Sequence, residues 1–351
     1  MRKRTALAAI AGFVLLAADQ KQDADLAPIP KEAELVCQSA SGGEKSEFGV
    51  IATEIFVADA NGDHLTRVTH QKKLYNHIAV SPDRKMIAAG RYNDGDTSGD
   101  GQIDSKDKKT LMVLDLEHKQ EWAPVPQAED ASLGGVDWTP DGKYIVCSMK
   151  FGGQVDIYRV HPDGSGLENL TKDLGKLLGV PKPIFVSDVS VSFDGQWIVF
   201  TSLAKRGELL RIIRQRIDGT EAHYVTDGGG SGAHSPSLLG SGDFDPEFSP
   251  DGKYISIQRS NKRGDTGRGW PNSDITRIQI DTGEAFVLSP AGNAEIHGIS
   301  DWSRDDRIVF SEWNRKDRWS GPVLVNPDGT KYHRIEKLKG CGWVRWIPPL
   351  G

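Results

Sequence analysis

Cysteine is scarce in this chain. Its 351 residues include three, Cys37, Cys147 and Cys341, with no CxxC spacing, which excludes a disulfide-built scaffold and a thiolate zinc centre. At least one of them stays a thiol within a monomer. Positive charge is not in excess either: 43 Lys and Arg against 49 Asp and Glu give a net charge of −6, so there is no general electrostatic pull toward nucleic acid or anionic lipid. Beyond the first twenty residues no apolar run approaches the roughly 18 residues needed to span a bilayer. What is plentiful is turn chemistry, since 39 Gly and 18 Pro describe a folded, turn-rich protein rather than a helical bundle.

The amino terminus departs from the rest. Arg2, Lys3 and Arg4 precede an apolar stretch from Thr5 to Ala18, and the chain turns polar at Asp19, the layout of a bacterial export signal. Residues 1–18 are expected to be a cleaved targeting segment, with a retained anchor as the alternative, and 19–30 a linker. The protein is then expected to be periplasmic or secreted, with no membrane span after signal removal and no nucleic-acid partner. Export would permit oxidation of Cys37 with Cys341. The repeat register described next brings the two near each other without setting them opposite, and their pairing stays open.

A five-residue hairpin recurs through the chain. Ser81-Pro82-Asp83-Arg84-Lys85, Thr139-Pro140-Asp141-Gly142-Lys143, Ser192-Phe193-Asp194-Gly195-Gln196, Ser249-Pro250-Asp251-Gly252-Lys253 and Ser303-Arg304-Asp305-Asp306-Arg307 place their first Asp residues 58, 53, 57 and 54 positions apart. Each follows an apolar anchor (Val80, Trp138, Val191, Phe248, Trp302) and precedes a β-rich run such as Tyr144-Ile145-Val146. Pro presets φ, the carboxylate accepts a nearby N–H, and Gly supplies positive φ, which closes a tight turn. After each hairpin come an apolar strand and another that often finishes in Leu-Thr or Val-Thr, as at Val68-Thr69, Leu170-Thr171 and Val225-Thr226. Four strands per period of about 55 residues, with no helical periodicity, predict β-propeller blades.

The chain ends complete the pattern. Trp343-Val344-Arg345-Trp346 reads as an innermost strand without its hairpin partner, and Glu34-Leu35-Val36-Cys37-Gln38 aligns with Tyr144-Ile145-Val146-Cys147-Ser148 as a second strand without its first. The expected fold is all-β: a six-bladed β-propeller of four-stranded blades over residues 31–351, closed by one C-terminal and three N-terminal strands. Closure removes the exposed sheet edges that an open array would leave. A monomer is expected.

The Ser-Pro-Asp-Gly-Lys hairpin, the aromatic before it and the Leu-Thr after it resemble the repeat of TolB-type propellers, a WD-like class. The resemblance covers the chain after the signal and is specific for architecture, saying less about activity. TolB proteins carry an α/β domain before the propeller and work in an envelope complex with a peptidoglycan-associated lipoprotein. Here Asp19 to Pro30 is all that lies between the expected signal and the first strand, so the resemblance implies a stand-alone propeller.

Residues 96–107 match a twelve-residue calcium loop. Oxygen donors fall at Asp96, Ser98, Asp100, Asp104 and Asp107, with the Gln102 carbonyl at the seventh place and Gly101 at the sharp turn. The last ligand is Asp rather than Glu, and Leu111 to Leu114 continues as a strand rather than a helix. Ca²⁺ is the expected cofactor, in a structural role; a solvated acidic turn is the alternative.

Two sets of side chains are candidates for ligand contact. Long loops interleave cations with Trp: Arg259, Arg263, Arg268 and Trp270 in one, Trp313, Arg315, Arg318 and Trp319 in the other. Such groups suit an acidic sugar, a carboxylate-bearing peptide or a protein partner. His77, Asp188, Asp245 and His297 are expected at the channel mouth, where they would serve acid–base or metal chemistry. Water-filled polar channels supply the plain reading of that set. No catalytic signature accompanies it: Gly229-Gly230-Ser231-Gly232-Ala233 fails the nucleophile elbow at its last position, and no HExxH exists. The leading expectation is therefore a propeller that binds a protein or cell-envelope polysaccharide, and the alternative a uronate lyase or glycosidase working at the channel mouth.

Overall fold

Four of the hairpin turns are closed by one and the same contact. Ser81 Oγ donates to Asp83 at 2.6 Å, Thr139 to Asp141 at 2.7 Å, Ser192 to Asp194 at 2.6 Å and Ser249 to Asp251 at 2.8 Å. Each carboxylate also accepts the backbone N–H two residues on. Each hydroxyl in turn accepts the N–H at the head of the next strand. The position after the carboxylate is left-handed, with φ of 69°, 70° and 68° at Gly142, Gly195 and Gly252, and the same conformation is forced on Arg84 (60°) and Asp306 (65°).

The Leu-Thr and Val-Thr endings have an equally local cause. The backbone N–H groups of Ile55, Ile157 and Ile212 donate to Thr69, Thr171 and Thr226 Oγ1 at 2.9, 3.0 and 3.1 Å. A buried hydroxyl thus satisfies an amide of the third strand where the short outer strand has ended.

The computed structural model describes residues 21–40, 43–103, 106–228, 242–265, 271–291 and 295–350. The expected targeting segment, residues 1–18, lies outside the described residues. Among the described residues, helix is confined to Leu174–Leu178 and the 3₁₀ turn Glu336–Leu338, and no helix is long and apolar enough to cross a membrane.

Five hydrogen-bonded sheets carry the rest. One runs Tyr75–Val80, Met86–Arg91, Thr110–Asp115, Gln120–Trp122 and Gln22–Asp23; the second Asp130–Trp138, Ile145–Phe151, Gln154–Val160 and Glu168–Asn169; the third Phe185–Val191, Trp197–Leu203, Arg211–Arg216 and Ala222–Tyr224. The fourth joins Cys341–Trp346 to Leu35–Ser39, Glu54–Ala58 and Thr66–Arg67, pairing Leu35 with Trp346 and Ser39 with Cys341. The two chain ends therefore share one blade. Part of the expected linker is built into the fold: Gln22–Asp23 pairs with the Gln120–Trp122 strand, and Leu26 is buried against the core.

The expectation of six separate blades needs correction. Four sheets stand alone as blades, whereas the strands from Asp243–Phe248 to His333–Arg334 form one eight-stranded sheet. The cause is local. A parallel bridge pairs Ser273 with Ile296, and Ser273 Oγ donates to the His297 carbonyl at 3.0 Å. The Ala285–Ser289 strand, which would separate the two halves, slips register at Ile275/Thr276.

The first strand of each unit contacts the next in a closed circuit: Tyr75–Val80, Asp130–Trp138, Phe185–Val191, Asp243–Phe248, Glu295–Trp302, Cys341–Trp346 and back to the start. Between units lie apolar clusters such as Val199, Ile212, Phe248, Ile255 and Ile278, each such side chain contributing roughly 1.5–3 kcal/mol on burial. Residues of these innermost strands line a small cavity between them.

Candidate functional site

Five of the six innermost strands carry a left-handed residue, four of them at a fixed distance from the turn. The residue six positions before the turn carboxylate is His77, Gly135, Asp188, Asp245 or Ile299. The four that are not Gly have φ of 48°, 52°, 50° and 55°, and Trp343 of the last strand has 50°. Pairing slips at the same places, between Asn76 and Ile78, Ser187 and Ser190, Phe244 and Glu247, and Gly298 and Asp301. These are β-bulges with a left-handed residue, strained for any side chain and most of all for Ile299. Each bulge turns its side chain toward the axis, and together they line a small cavity of about 30 Å³.

His77, Asp188 and Asp245 are among the residues that line this cavity. Asp188 accepts from Ser187 Oγ at 2.9 Å. Burial raises its pKa to about 6. Burial and the neighbouring Asp188 push Asp245 well above the carboxylate range, while burial, Lys109 and Arg345 hold His77 well below the usual imidazole value. Gly134 makes room for this packing, because a Cβ there would meet Asp188 Oδ1 at 1.8 Å.

His297 does not join them. It lies eight positions before its turn carboxylate, not six, and Ile299 takes the axial place. Its ring instead sits in the seam of the eight-stranded sheet, with Nδ1 2.9 Å from Ser289 Oγ and the face against Phe310. The four-residue set predicted for acid–base or metal chemistry is therefore incomplete. Among the described residues no group of three His, Cys, Asp or Glu side chains is arranged to hold a metal ion.

Four positions before the turn carboxylate lies a second level: Asp137, Glu247 and Asp301, with Arg345 entering from the last strand. Arg345 donates to Glu247 at 2.6 Å and to the Val136 carbonyl at 2.9 Å, and its Nε is 3.6 Å from Asp301. Asp137 accepts the N–H of Trp138 and, from the next blade, that of Val191, both at 2.8 Å. Asp301 accepts those of Trp302 at 2.9 Å and Trp346 at 2.7 Å. Burial raises Asp137, lifts Asp301 to about 6 and puts Glu247 well above its usual range. Burial disfavours the Arg345 cation too, but Glu247, Asp301 and Asp137 more than offset it. Three carboxylates thus face one guanidinium, and burial works against the charge of each.

This level is the floor of a cavity of about 380 Å³ that opens at the hairpin-turn mouth. Trp138, Trp302, Trp346, Phe193 and Phe248 wall it, and Arg84, Arg304 and Arg307 stand among its lining. Sequence reasoning placed the ligand at the opposite mouth and missed this one. The fixed offset of four residues from the turn Asp would have found Asp137, Glu247 and Asp301.

The predicted basic loops divide. Arg259 is committed to Asp243 through two bonds of 2.7 and 2.9 Å, and Trp319 is 3% exposed beneath the Arg334 guanidinium. Both are parts of the fold rather than open contacts. Arg315 and Arg318 are exposed in the turn after Asn314, and Trp313 is half-buried on its strand. The side chain of Arg263 and the whole of Arg268 and Trp270 lie outside the described residues.

In the acidic loop, Asp96 accepts from the N–H groups of Gly99 and Gly101, both at 2.7 Å. Asp107 is fully buried and accepts those of Thr97 and Ser98, both at 2.8 Å. Asp100 is paired with Lys106 and accepts the Gln102 N–H at 3.1 Å. Asp104 lies outside the described residues.

No protein-family model and no curated protein matches the chain. Solved structures do. TolB from Acinetobacter baumannii superposes with a TM-score of 0.62 at 18% identity, over 90% of this chain and 66% of that one. A putative TolB from Agrobacterium tumefaciens gives 0.58 at 16% identity, over 91% and 100%. The fold is a TolB-like β-propeller. A chain of a nidogen–laminin complex reaches 0.59 at 10% identity, over 91% of this chain and 99% of that one. Oligogalacturonate lyase in complex with manganese reaches 0.51 at 10%, over 91% and 74%. At such identities the likeness concerns architecture. This TolB-like propeller spans a little under two thirds of the A. baumannii TolB chain.

Proposed function

We propose that this TolB-like propeller is an exported binding module, periplasmic or secreted, that takes a segment of a protein partner into the cavity at its hairpin-turn mouth. The observation that carries this reading is the floor of that cavity, where Arg345 faces Asp137, Glu247 and Asp301. A pocket with aromatic walls and carboxylates on its floor suits a chain bearing a lysine or arginine: its cation pairs with Asp301, ionised at neutral pH, and its stem stacks on Trp. The likeness to TolB structures supports a protein over a cell-envelope polysaccharide. The lyase or glycosidase reading has less support, because His297 stands apart from His77, Asp188 and Asp245.

The eight-stranded sheet holds two hairpins of the repeat, at Ser249 and Ser303, and the parallel bridge of Ser273 with Ile296 is among the contacts that join its halves. Residues 96–107 are assigned to Ca²⁺, with Asp96, Ser98, Asp100, Gln102, Asp104 and Asp107 as donors. An all-oxygen set suits a hard divalent cation, and Lys106 on Asp100 fills the place of a positive charge.

Affinity capture from an envelope extract tests the binding role. A partner should be retained by the wild type and lost by Asp301→Asn. Capture unaffected by Asp301→Asn, or turnover of a uronate polymer, would overturn the reading.

A further inference from the structure

The blade assembled from both chain ends also holds two of the three thiols. Cys341 opens the Cys341–Trp346 strand and faces Ser39 across the antiparallel pair, while Val36 faces Arg345. Side chains two apart share a face, so Cys37 is the diagonal neighbour of Cys341. The two thiols are near enough for each to shift the other's titration. Both are buried, at 1% and 4% exposure, in one apolar cluster with Leu35, Phe56 and Val344.

The repeat supplies its own control. Cys147 occupies in its blade the place of Cys37, but the residue facing Met149 there is Ala131, where the seam has Cys341 facing Ser39. The thiol pair occurs at the one blade in which two chain ends must be held together.

We propose that Cys37 and Cys341 are a redox pair whose disulfide staples the first blade strand to the last and locks the ring shut. The oxidant is a disulfide, either oxidised glutathione or a protein disulfide. The neighbouring Cys37, with Ser39, lowers the Cys341 thiol from its ordinary pKa, while Cys341 and burial raise that of Cys37, so Cys341 is the first nucleophile. Its thiolate attacks the oxidant, forming a mixed disulfide and expelling one thiol. Cys37 then attacks the Cys341 sulfur and expels the second. Two protein S–H groups are oxidised, one oxidant S–S bond is reduced, and both protons leave on the expelled thiols. Because both sulfurs are buried, the exchange takes place as the last strand docks. The bond would close a loop of about 300 residues, the case in which a cross-link restricts the unfolded chain most.

The test equilibrates the full chain, from the unfolded state, in buffers of reduced and oxidised glutathione. Remaining thiols are then blocked with maleimide in denaturant, and intact mass and non-reducing peptide maps are read. The oxidised form should carry one maleimide, on Cys147, and a Cys37–Cys341 cross-linked peptide. It should melt roughly 5 °C or more above the reduced form. Cys147→Ala should keep that redox dependence, and Cys341→Ser should lose it. Three maleimides after oxidation, glutathione adducts without a cross-link, or equal melting temperatures of the oxidised and reduced wild type would each overturn the proposal.

Discussion

Arg345 reaches Glu247 at 2.6 Å, 98 positions away in sequence, and binds the last strand to the innermost strand two places away in the circuit. Around it stand Asp301 and Asp137, whose pKa values burial raises and Arg345 partly brings back down.

Removing that cation should be costly. Arg345→Met leaves buried carboxylates without their counter-charge, and the expected destabilisation is about 3–5 kcal/mol at pH 7. The double variant with Glu247→Gln should recover part of the loss. Urea unfolding of the two variants checks this, and equal stability of Arg345→Met and wild type would contradict it.

The channel also sets a pH dependence. Burial lifts Asp301 and Asp188 to about 6, against about 3.9 in the unfolded chain. Between those values the folded state keeps protons that the unfolded chain has released, so these two groups favour folding below the unfolded pKa and lose that contribution as pH rises through about 6. His77 acts in the opposite sense, because its lowered pKa favours folding above the unfolded imidazole value. The measurement is therefore a difference: the stability of wild type minus that of Asp301→Asn should fall by on the order of 2–3 kcal/mol from pH 4 to pH 7. A difference independent of pH would contradict the buried-carboxylate account.

Thr171 accepts the Ile157 N–H at 3.0 Å and donates to Asp156 at 2.8 Å. Thr171→Val should cost about 1–3 kcal/mol, since it leaves a buried amide and a carboxylate short of a partner. Thr171→Ser should recover most of it. Thermal melts of the pair separate the hydroxyl from the lost shape.

For the loop at 96–107, calorimetry should show calcium binding that Asp100→Ala abolishes, and chelator should lower the melting temperature. At a Kd on the order of 10⁻⁴ to 10⁻³ M the site would be filled outside the cell. A melting temperature indifferent to chelator would remove the structural role.

Much of the fold was legible because it rests on local chemistry repeated in register. The Ser/Thr–Asp turn contact and the Thr acceptor at the outer strand are side-chain bonds within five and fourteen residues, so their spacing shows in the letters. The pairing of Leu35 with Trp346 followed from each end lacking what the other supplied. What failed depended on distant pairing. Ser273 meets Ile296 through a register slip that no motif marks, and a bulge decides that Ile299 rather than His297 reaches the axis. Arg259 reads as a free cation until Asp243, sixteen residues earlier, is seen to hold it. Arg345 was hidden because the last strand has no hairpin turn from which to count.

The most direct test of the binding role is a titration of tryptophan fluorescence with pentapeptides carrying one lysine or arginine, beside the same peptides with norleucine or citrulline. Trp138, Trp302 and Trp346 wall the cavity and report its filling. The account predicts a saturable, salt-sensitive change for the cationic set, weakened roughly tenfold in Asp301→Asn, the loss of one bond to a charged group. Equal response to cationic and neutral peptides, or no response to either, would contradict it.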